Sequence, residues 1–328
     1  MQLAQRLQEA GKPFEITYID LSTASRKIAE ARVKARNLQN ITFKTGSLLD
    51  APTLGEFDYI DCCGVLHHLP DPQAGLTALR EALAPNGGLG FMVYAPYGRS
   101  GVYPLQAAFN RLYGHLPPKS RLKHAKATFD KIPEAHALRR NLNIGDHTQS
   151  DAGFYDLLVN SQDRAFSAPA WIDALHQSGW TLASFAQPGL YDLGQFADIP
   201  ANMDPTDQMG TAEELRGTIK THVGYARAAD APAQTPADQA TQIPHLNGVP
   251  AAGLAQAVQA KKIPALRMGS DRITVDIPAK AAPLIAAIDG KRSVADILAT
   301  TNQPSRYWDK IESALTPWGV LHFSRFNR

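Results

Sequence analysis

Two short apolar segments that end in polar residues constrain the fold of this chain most strongly. The first is Ile16–Asp20, and the second is Phe57–Cys62, which continues into Cys63-Gly64-Val65-Leu66-His67-His68-Leu69. Each is followed by a stretch in which apolar residues recur at helical spacing. Strands that alternate with helices of roughly 10–15 residues predict right-handed crossovers and a parallel sheet. Ligands bind such sheets at the carboxyl ends of the strands, so the polar residues there are candidates for a binding site.

The other elements follow from periodicity, capping residues and turn residues. The predicted helices cover 1–10, 22–36, 72–83 and 168–178, and the predicted strands cover 14–19, 40–44, 57–62, 88–94 and 180–186. The chain thus begins with a helix followed by a strand, so the first strand of a regular alternating pattern is absent. We expect an α/β fold with a doubly wound, mostly parallel sheet that is incomplete at the N-terminus.

Composition divides the chain into three parts. Residues 1–200 form the predicted sheet domain, with a helical insertion over about 97–167 in which basic residues outnumber acidic ones between 111 and 140. Residues 201–262 turn to Ala, Pro, Gln and Thr and are predicted to be a partly disordered linker.

Residues 263–328 form a predicted small α+β module that resembles a winged helix, with Trp308 and Trp318 in its core. Strands are expected over 272–277 and 319–324, with helices over 280–288, 293–300 and 306–315. Such a module could recruit a protein partner.

Charge and cysteine content exclude several classes of protein. The 33 basic and 31 acidic residues give a net charge of only +2, which argues against a nucleic-acid binder. The two cysteines, Cys62 and Cys63, are adjacent on a strand, point to opposite faces and are poor disulfide partners, so a reducing compartment fits. The chain has no signal peptide and no run of about 18 apolar residues, so we expect a cytoplasmic protein without a membrane span.

The strand-end residues resemble those of the class I S-adenosylmethionine-dependent methyltransferases. The resemblance rests on Gly64-Val65-Leu66-His67-His68-Leu69 after Phe57-Asp58-Tyr59, together with Asp20 at the end of the preceding apolar strand. It covers residues 1 to about 187 and is strongest over 14–94. It implies a Rossmann-like α/β fold and S-adenosylmethionine as the cofactor.

The resemblance also implies which residues bind the cofactor. Asp20 would accept hydrogen bonds from the ribose hydroxyls, with Leu21 against the adenine face. The backbone of Cys62 and Cys63 would meet the methionine part, and Gly64 would leave room for it. For Asp20 the alternative interpretation is a helix N-cap.

A second cofactor segment follows the strand predicted over 40–44. Ser47 and Leu48 would border the adenine ring, with Asp50 as an alternative source of an acidic contact. The alternative interpretation of the segment 46–50 is a simple connecting turn.

Histidines and aromatic residues near the same edge are candidates for chemistry on the methyl acceptor. His67 could act as a general base, because imidazole titrates near neutrality, but it could equally pack against the next helix. No metal site is expected, since no other His or Cys lies near it in sequence.

The acceptor contacts predicted after the strand over 88–94 are Tyr97, Arg99 and Tyr103. The segment 161–164 would form either a pocket rim or a salt-bridged loop.

One feature of the family is missing. No Gly-x-Gly-x-Gly loop precedes Asp20, and the glycines at 87–90 open a later strand. Two explanations follow: a methyltransferase lacking its N-terminal first strand and glycine-rich loop, or a catalytically inactive scaffold or regulatory relative that has lost cofactor binding. A nicotinamide-dependent dehydrogenase is a third hypothesis, because Asp20 suits it equally, but it gives residues 64–69 no role.

Overall fold

The first part of the chain alternates helices and strands in the expected order. This is seen in a computed structural model that describes residues 2–160, 162–232 and 239–325. The elements are α1 (Gln2–Glu9), β1 (Ile16–Asp20), α2 (Thr23–Ala35), β2 (Ile41–Thr45), β3 (Phe57–Cys63), α3 (Pro72–Glu81) and β4 (Leu83–Tyr94). The predicted α/β class is confirmed, although β4 begins five residues earlier than the predicted position 88.

The middle of the chain is a helical insertion followed by two more strands. Its elements are α4 (Val102–Tyr113), α5 (Pro118–Phe129), α6 (Asp146–Gln149), α7 (Asp151–Phe154), a π-helix (Tyr155–Val159), α8 (Ala168–Gln177), β5 (Trp180–Phe185), α9 (Pro205–Arg216) and β6 (Thr221–Ala228). The helices α4 to α7 and the π-helix pack around a core of their own that includes Phe109 and Phe154.

Over the described residues 239–325, the last part contains short strands and four α-helices. They are β7 (Ile243–Leu246), α10 (Ala251–Gln259), β8 (Leu266–Met268), β9 (Asp271–Ile273), α11 (Ala282–Ala286), α12 (Val294–Thr301), α13 (Ser305–Leu315) and β10 (Leu321–Ser324). β7 and β10 pair antiparallel, and Trp308 and Trp318 are both buried in the core, as expected. The strand expected over 272–277 ends at Ile273 instead, because Val275 and Ile277 turn into the core.

The strands form two separate sheets near the predicted binding edge. β1 and β2 make a parallel pair, and a four-stranded sheet has the order β3-β4-β6-β5. β3 and β4 are parallel, whereas β6 runs antiparallel to both of its neighbours. The 3-10 segment Leu48–Leu54 after β2 packs against α3 after β3, so these connections bring the two sheets together.

Residues 201–262 contain regular structure where the sequence predicted a linker. α9, β6, β7 and α10 all lie in this range, and β6 occupies the interior of the four-stranded sheet. The inward residues of β6 are His222, Gly224, Ala226 and Ala228, which carry little hydrophobic signal. A small residue is required because a Cβ on Gly224 would lie 2.8 Å from Phe91 Cζ. Residues 233–238 of the expected linker lie outside the described residues.

The main core fills one face of the four-stranded sheet. Phe91 on β4 and Trp171 on α8 have ring centroids 5.2 Å apart, and Trp180 is fully buried with its Nε1 donating to the carbonyl of Leu76 at 3.0 Å. Burial of such aromatic residues provides most of the stabilisation of a core like this one. The opposite face is open, since Tyr59 and Tyr225 are exposed on it.

Candidate functional site

The carboxyl end of β1 presents a carboxylate in a fixed position. Asp20 is the last residue of β1; its Oδ2 accepts from the Tyr18 hydroxyl at 2.8 Å and its Oδ1 accepts from the Ser22 amide at 2.8 Å. The cap of α2 is the Ser22 side chain, so Asp20 is not the helix cap itself. Each carboxylate oxygen retains lone pairs for a ligand. Leu21 beside it is 71% exposed, which leaves an apolar surface next to the acid.

The segment after β2 forms a tight cap. Ser47 Oγ accepts from the Leu49 amide at 3.1 Å, and Asp50 Oδ2 accepts from the Ser47 amide at 3.1 Å, which completes a capping box. The Asp50 carboxylate is therefore bonded within its own segment. Its observed contacts are those of a connecting turn, the alternative interpretation of residues 46–50. Leu48 packs against the main core and lies near Gly75 of α3.

The carboxyl end of β3 carries the two cysteines and a glycine. Cys62 is buried, whereas Cys63 is exposed and its Sγ donates to Asp61 Oδ1 at 3.0 Å. Burial, with the Asp61 charge adding to it, raises the pKa of each thiol to about 12, so both stay protonated. Gly64 has φ +80°, donates its amide to the Met92 carbonyl at 3.0 Å, and leaves the adjoining backbone uncovered by a side chain.

His67 lies behind this edge in a stack with Tyr94. It is fully buried, its ring centroid is 3.7 Å from that of Tyr94, and neither of its ring nitrogens has a hydrogen-bond partner among the described residues. Burial, reinforced by His68 and Arg99, lowers the pKa of His67 to about 3. An imidazole of such low basicity binds a proton weakly, which speaks against the predicted role as general base.

Arg99 forms a buried polar network on the other side of Tyr94. Its Nη2 lies 3.1 Å from Asp163 Oδ2, its Nε donates to the Tyr103 hydroxyl at 3.1 Å, and Gln106 Nε2 donates to Asp163 Oδ1 at 2.8 Å. Burial raises the pKa of Asp163, while the Gln106 hydrogen bond and the Arg99 charge oppose that shift. Of the two interpretations of the segment 161–164, the ion pair is observed; Ser161 itself lies outside the described residues.

Tyr97 lies apart from the other two predicted acceptor residues. Its hydroxyl donates to Glu214 on α9 at 3.0 Å, and it borders a cavity of about 370 Å³ with Ser100 and Arg140. Arg99 and Tyr103 instead face the interior beside Tyr94. The structure thus brings two of the three residues together and places Tyr97 at a different opening.

Sequence reasoning missed two residues of this region, Tyr94 and Gln106, and it did not identify Arg99 as the partner of Asp163. Tyr94 ends β4 as Asp20 ends β1, so the strand-end pattern could have identified it. Gln106 and Asp163 lie in the helical insertion and in the loop before α8, where no periodic signal relates them to Arg99.

Metal clusters and membrane-spanning helices are both absent from the described ranges. No group of three or more His, Cys, Asp or Glu residues in them is arranged to hold a metal ion. None of the helices in the same ranges is long and apolar enough to cross a membrane.

The fold is of the α/β class, and its polar strand-end residues lie where ligands bind in open parallel sheets. Residues 2–89 match the family model described as Methyltransferase domain, which agrees with the resemblance stated from the sequence. The fold is similar to that of PKMT2 from Rickettsia typhi, with a TM-score of 0.64 at 14% identity, covering 100% of this chain and 70% of that chain. PKMT2 in complex with AdoHcy is also similar, with a TM-score of 0.63 at 13% identity, covering 98% of this chain and 68% of that one.

Curated relatives match shorter stretches. An uncharacterized protein of Synechococcus sp., syc1184_c, is 35% identical over 178 residues, which are 52% of this chain and 43% of that protein. The ubiquinone biosynthesis O-methyltransferase of Psychrobacter cryohalolentis is 36% identical over 77 residues, 22% of this chain and 30% of the enzyme. The matched regions thus span less than half of the length of these relatives.

Proposed function

We propose that this chain binds S-adenosylmethionine at the carboxyl ends of β1, β2 and β3 and transfers its methyl group to a small-molecule or protein acceptor. One observation supports this proposal most strongly. The acid, the turn and the glycine expected to hold the cofactor lie at the carboxyl ends of β1, β2 and β3, each of which pairs in parallel with a neighbouring strand, and all lie inside the segment that matches the methyltransferase domain.

The residues at these strand ends fit the proposed cofactor. Asp20 has a fixed carboxylate for a ribose diol, and the exposed Leu21 offers an apolar contact for an adenine ring. Ser47 and Leu48 continue the same edge after β2. Gly64 has no side chain, so the backbone beside it stays accessible to a ligand. A Cβ at this position would lie 3.4 Å from Met92 Cε. In the proposed complex these residues would form the ribose, adenine and methionine-backbone sides of the cofactor site.

In this reaction the protein mainly has to orient the acceptor relative to the methyl group. When bound, S-adenosylmethionine supplies an already activated methyl group on its sulfonium. The chain's own residues then have to hold the acceptor atom in line with that methyl, and correct orientation alone can lower a barrier by several kcal/mol, up to roughly 7–11. Beside the end of β4, the network of Arg99, Tyr103 and Asp163 is proposed to line the acceptor site, because its side chains are held by one another.

Other properties belong to the same proposal. A cytoplasmic location agrees with the free thiols of Cys62 and Cys63. Nucleic acid is not an expected partner, given the net charge of +2. The C-terminal part, in which residues 263–325 share a core with β7 and α10, is proposed to contact a protein partner.

Calorimetric titration with S-adenosylhomocysteine tests the proposal. The full chain should bind it, and Asp20→Asn should weaken binding about tenfold or more, because a hydrogen bond to a charged acceptor is lost. Asp58→Asn is the matched control, since Asp58 is an exposed acid in the first half of β3 and should leave affinity within about twofold.

A longer chain that includes upstream sequence completes the experiment. Binding by either protein supports the enzyme hypothesis, whereas binding by neither supports the inactive scaffold. Equal weakening by Asp20→Asn and Asp58→Asn would show that the ligand does not contact the end of β1.

A further inference from the structure

A polar cavity of about 370 Å³ opens beside the loop that follows β4. Three segments that are distant in sequence form most of its wall: the loop with Tyr97 and Ser100, the segment 137–143 before α6, and Ser270 between β8 and β9. The volume lies within the range of small-molecule sites in proteins, roughly 300–1,000 Å³. We call this space the Arg140 cavity, after the one charged residue that borders it among the described residues.

Hydrogen bonds between these segments hold the wall in place. The Asn141 side chain donates to the carbonyls of Gly98 at 3.0 Å and Ser100 at 3.2 Å, which ties its segment to the loop after β4. The Asn143 side-chain oxygen accepts from the Ser270 amide at 3.0 Å, which ties the same segment to the C-terminal part. A ligand that enters the cavity therefore meets groups already in position, so binding costs little conformational entropy.

The same bonds occupy the hydrogen-bond acceptors of the wall and leave donors over. The side-chain oxygens of Asn141 and Asn143 already accept from backbone amides, at 2.9 Å and 3.0 Å. The Asn143 side-chain nitrogen and the Arg140 guanidinium, by contrast, make no hydrogen bond within the described ranges. An amide nitrogen carries two N–H donors and a guanidinium five. A wall with free donors and occupied acceptors is suited to an oxyanion.

The unpaired charges at the cavity also favour an anion. Arg140 is exposed at its edge, and Lys220 Nζ lies 3.3 Å from the Asn143 carbonyl oxygen. Glu214 is the one acid bonded to a bordering residue in the part of the chain that the structure describes, because its Oε1 accepts from the Tyr97 hydroxyl at 3.0 Å. Two cations and one acid leave a net positive charge beside the cavity.

Two further pairs of charges nearby are balanced internally. Asp271, which follows Ser270, forms an ion pair with Arg216 at 2.9 Å. Arg139 lies 3.2 Å from Glu134 and donates to a backbone carbonyl through its other terminal nitrogen. These groups therefore add little to the charge that a ligand in the cavity would meet.

We propose that the Arg140 cavity binds a small molecule through a carboxylate or phosphate group, with the Arg140 guanidinium and the Asn143 side-chain nitrogen as donors. The planar guanidinium matches the paired oxygens of either group. The inference goes beyond the proposed methyl transfer and stands without it, since the described residues that border this cavity include none of the proposed cofactor contacts.

Nuclear magnetic resonance on the ¹⁵N-labelled full chain tests this without the natural ligand. Phenyl phosphate and benzoate are the anionic probes, and benzylammonium is the cationic probe of similar size. Arg140→Gln identifies the Arg140 Nε resonance by its loss and removes the guanidinium, and the Ser270 backbone amide reports binding in every variant. Arg111→Gln is the matched control, because Arg111 is exposed in the last turn of α4 and does not border the cavity.

At least one anion should shift the Arg140 and Ser270 resonances to saturation, and benzylammonium should shift neither. The anion that binds more tightly identifies the group as carboxylate or phosphate. Arg140→Gln should weaken its binding about tenfold, because a charge-assisted hydrogen bond is lost, whereas Arg111→Gln should leave it within about twofold. Glu214→Gln keeps an oxygen for the Tyr97 hydroxyl but removes the opposing charge, so it should tighten the binding.

Three results would each overturn the inference. The first is the absence of a saturating shift with both anions, and the second is binding of benzylammonium as tight as that of the anions. The third is equal weakening by Arg140→Gln and Arg111→Gln, which would mean that only the overall charge of the chain attracts the probes. Weaker or unchanged anion binding by Glu214→Gln also counts against an anion site at this position.

Discussion

The surroundings of His67 decide its protonation state. The residue follows β3 in a motif that suggests acid–base chemistry, yet its ring is fully buried against Tyr94 with Arg99 beyond it. Desolvation disfavours the imidazolium, and a nearby guanidinium disfavours it further. A side chain that looks reactive in sequence is therefore a neutral packing residue in the folded chain.

Burial of His67 makes stability depend on pH. Its folded pKa of about 3 lies below the ordinary value of 6.5, so the unfolded chain takes up the proton first as pH falls. This contribution is fully present above pH 6.5 and is lost toward pH 3 at about 1.4 kcal/mol per pH unit. Relative to His67→Phe, the wild type should lose unfolding free energy faster between about pH 7 and 5, as measured by urea denaturation.

His176→Gln is the control for this prediction. His176 is exposed in the last turn of α8, so its removal should leave the pH profile parallel to that of the wild type. Parallel profiles for His67→Phe and the wild type would contradict the neutral, buried state of His67.

Among the secondary-structure elements, local chemistry accounts for the helices better than for the strands. Ser22 begins α2 and Ser293 begins α12 through side-chain caps that are visible in the sequence. β6 carried no such signal, because its inward positions are small residues or His222, selected by the space that Phe91 and its neighbours leave. Strand identity there depends on cross-strand packing, which a single sequence does not display.

The division into two sheets predicts unequal protection of the strands. β1 and β2 pair with each other alone among the described strands, whereas β4 and β6 are interior strands of a four-stranded sheet. Two-stranded sheets are marginal by themselves. Backbone amides of β1 and β2 should exchange at least tenfold faster than those of β4 and β6 in hydrogen–deuterium exchange, and comparable protection in both sheets would contradict this.

Across the whole chain, the C-terminal part packs on the sheet part through a close backbone contact. The short helical turn at Pro188–Tyr191 meets the turn at Thr316–Trp318, and Leu190 packs against both hydrophobic cores. Gly189 is the residue at the point of approach. Two parts that the composition suggested were joined by a linker are thus in direct contact.

Adding a side chain at Gly189, between the two turns, should destabilise the fold. A Cβ on Gly189 would lie 3.0 Å from the Pro317 carbonyl oxygen and 3.1 Å from Trp318 Cη2. Gly189→Ala should lower the free energy of unfolding by about 1–3 kcal/mol, the usual cost of overpacking. Gly145→Ala is the matched control, because a Cβ there meets nothing within 4 Å. Equal unfolding midpoints in urea for the two variants would mean that the contact can relax freely.

Neighbours along the chain are enough to specify the alternation of helices and strands in residues 2–94, the helix caps, and the position of Asp20 and Gly64 at strand ends. These features follow from periodicity, capping and turn conformation, all of which can be read from the sequence. Tertiary contacts were needed to establish that Arg99 pairs with Asp163, that Tyr97 lies apart, and that His67 is buried and neutral. Those outcomes arise from desolvation and from contacts between residues far apart in the chain, and neither leaves a periodic trace in the sequence.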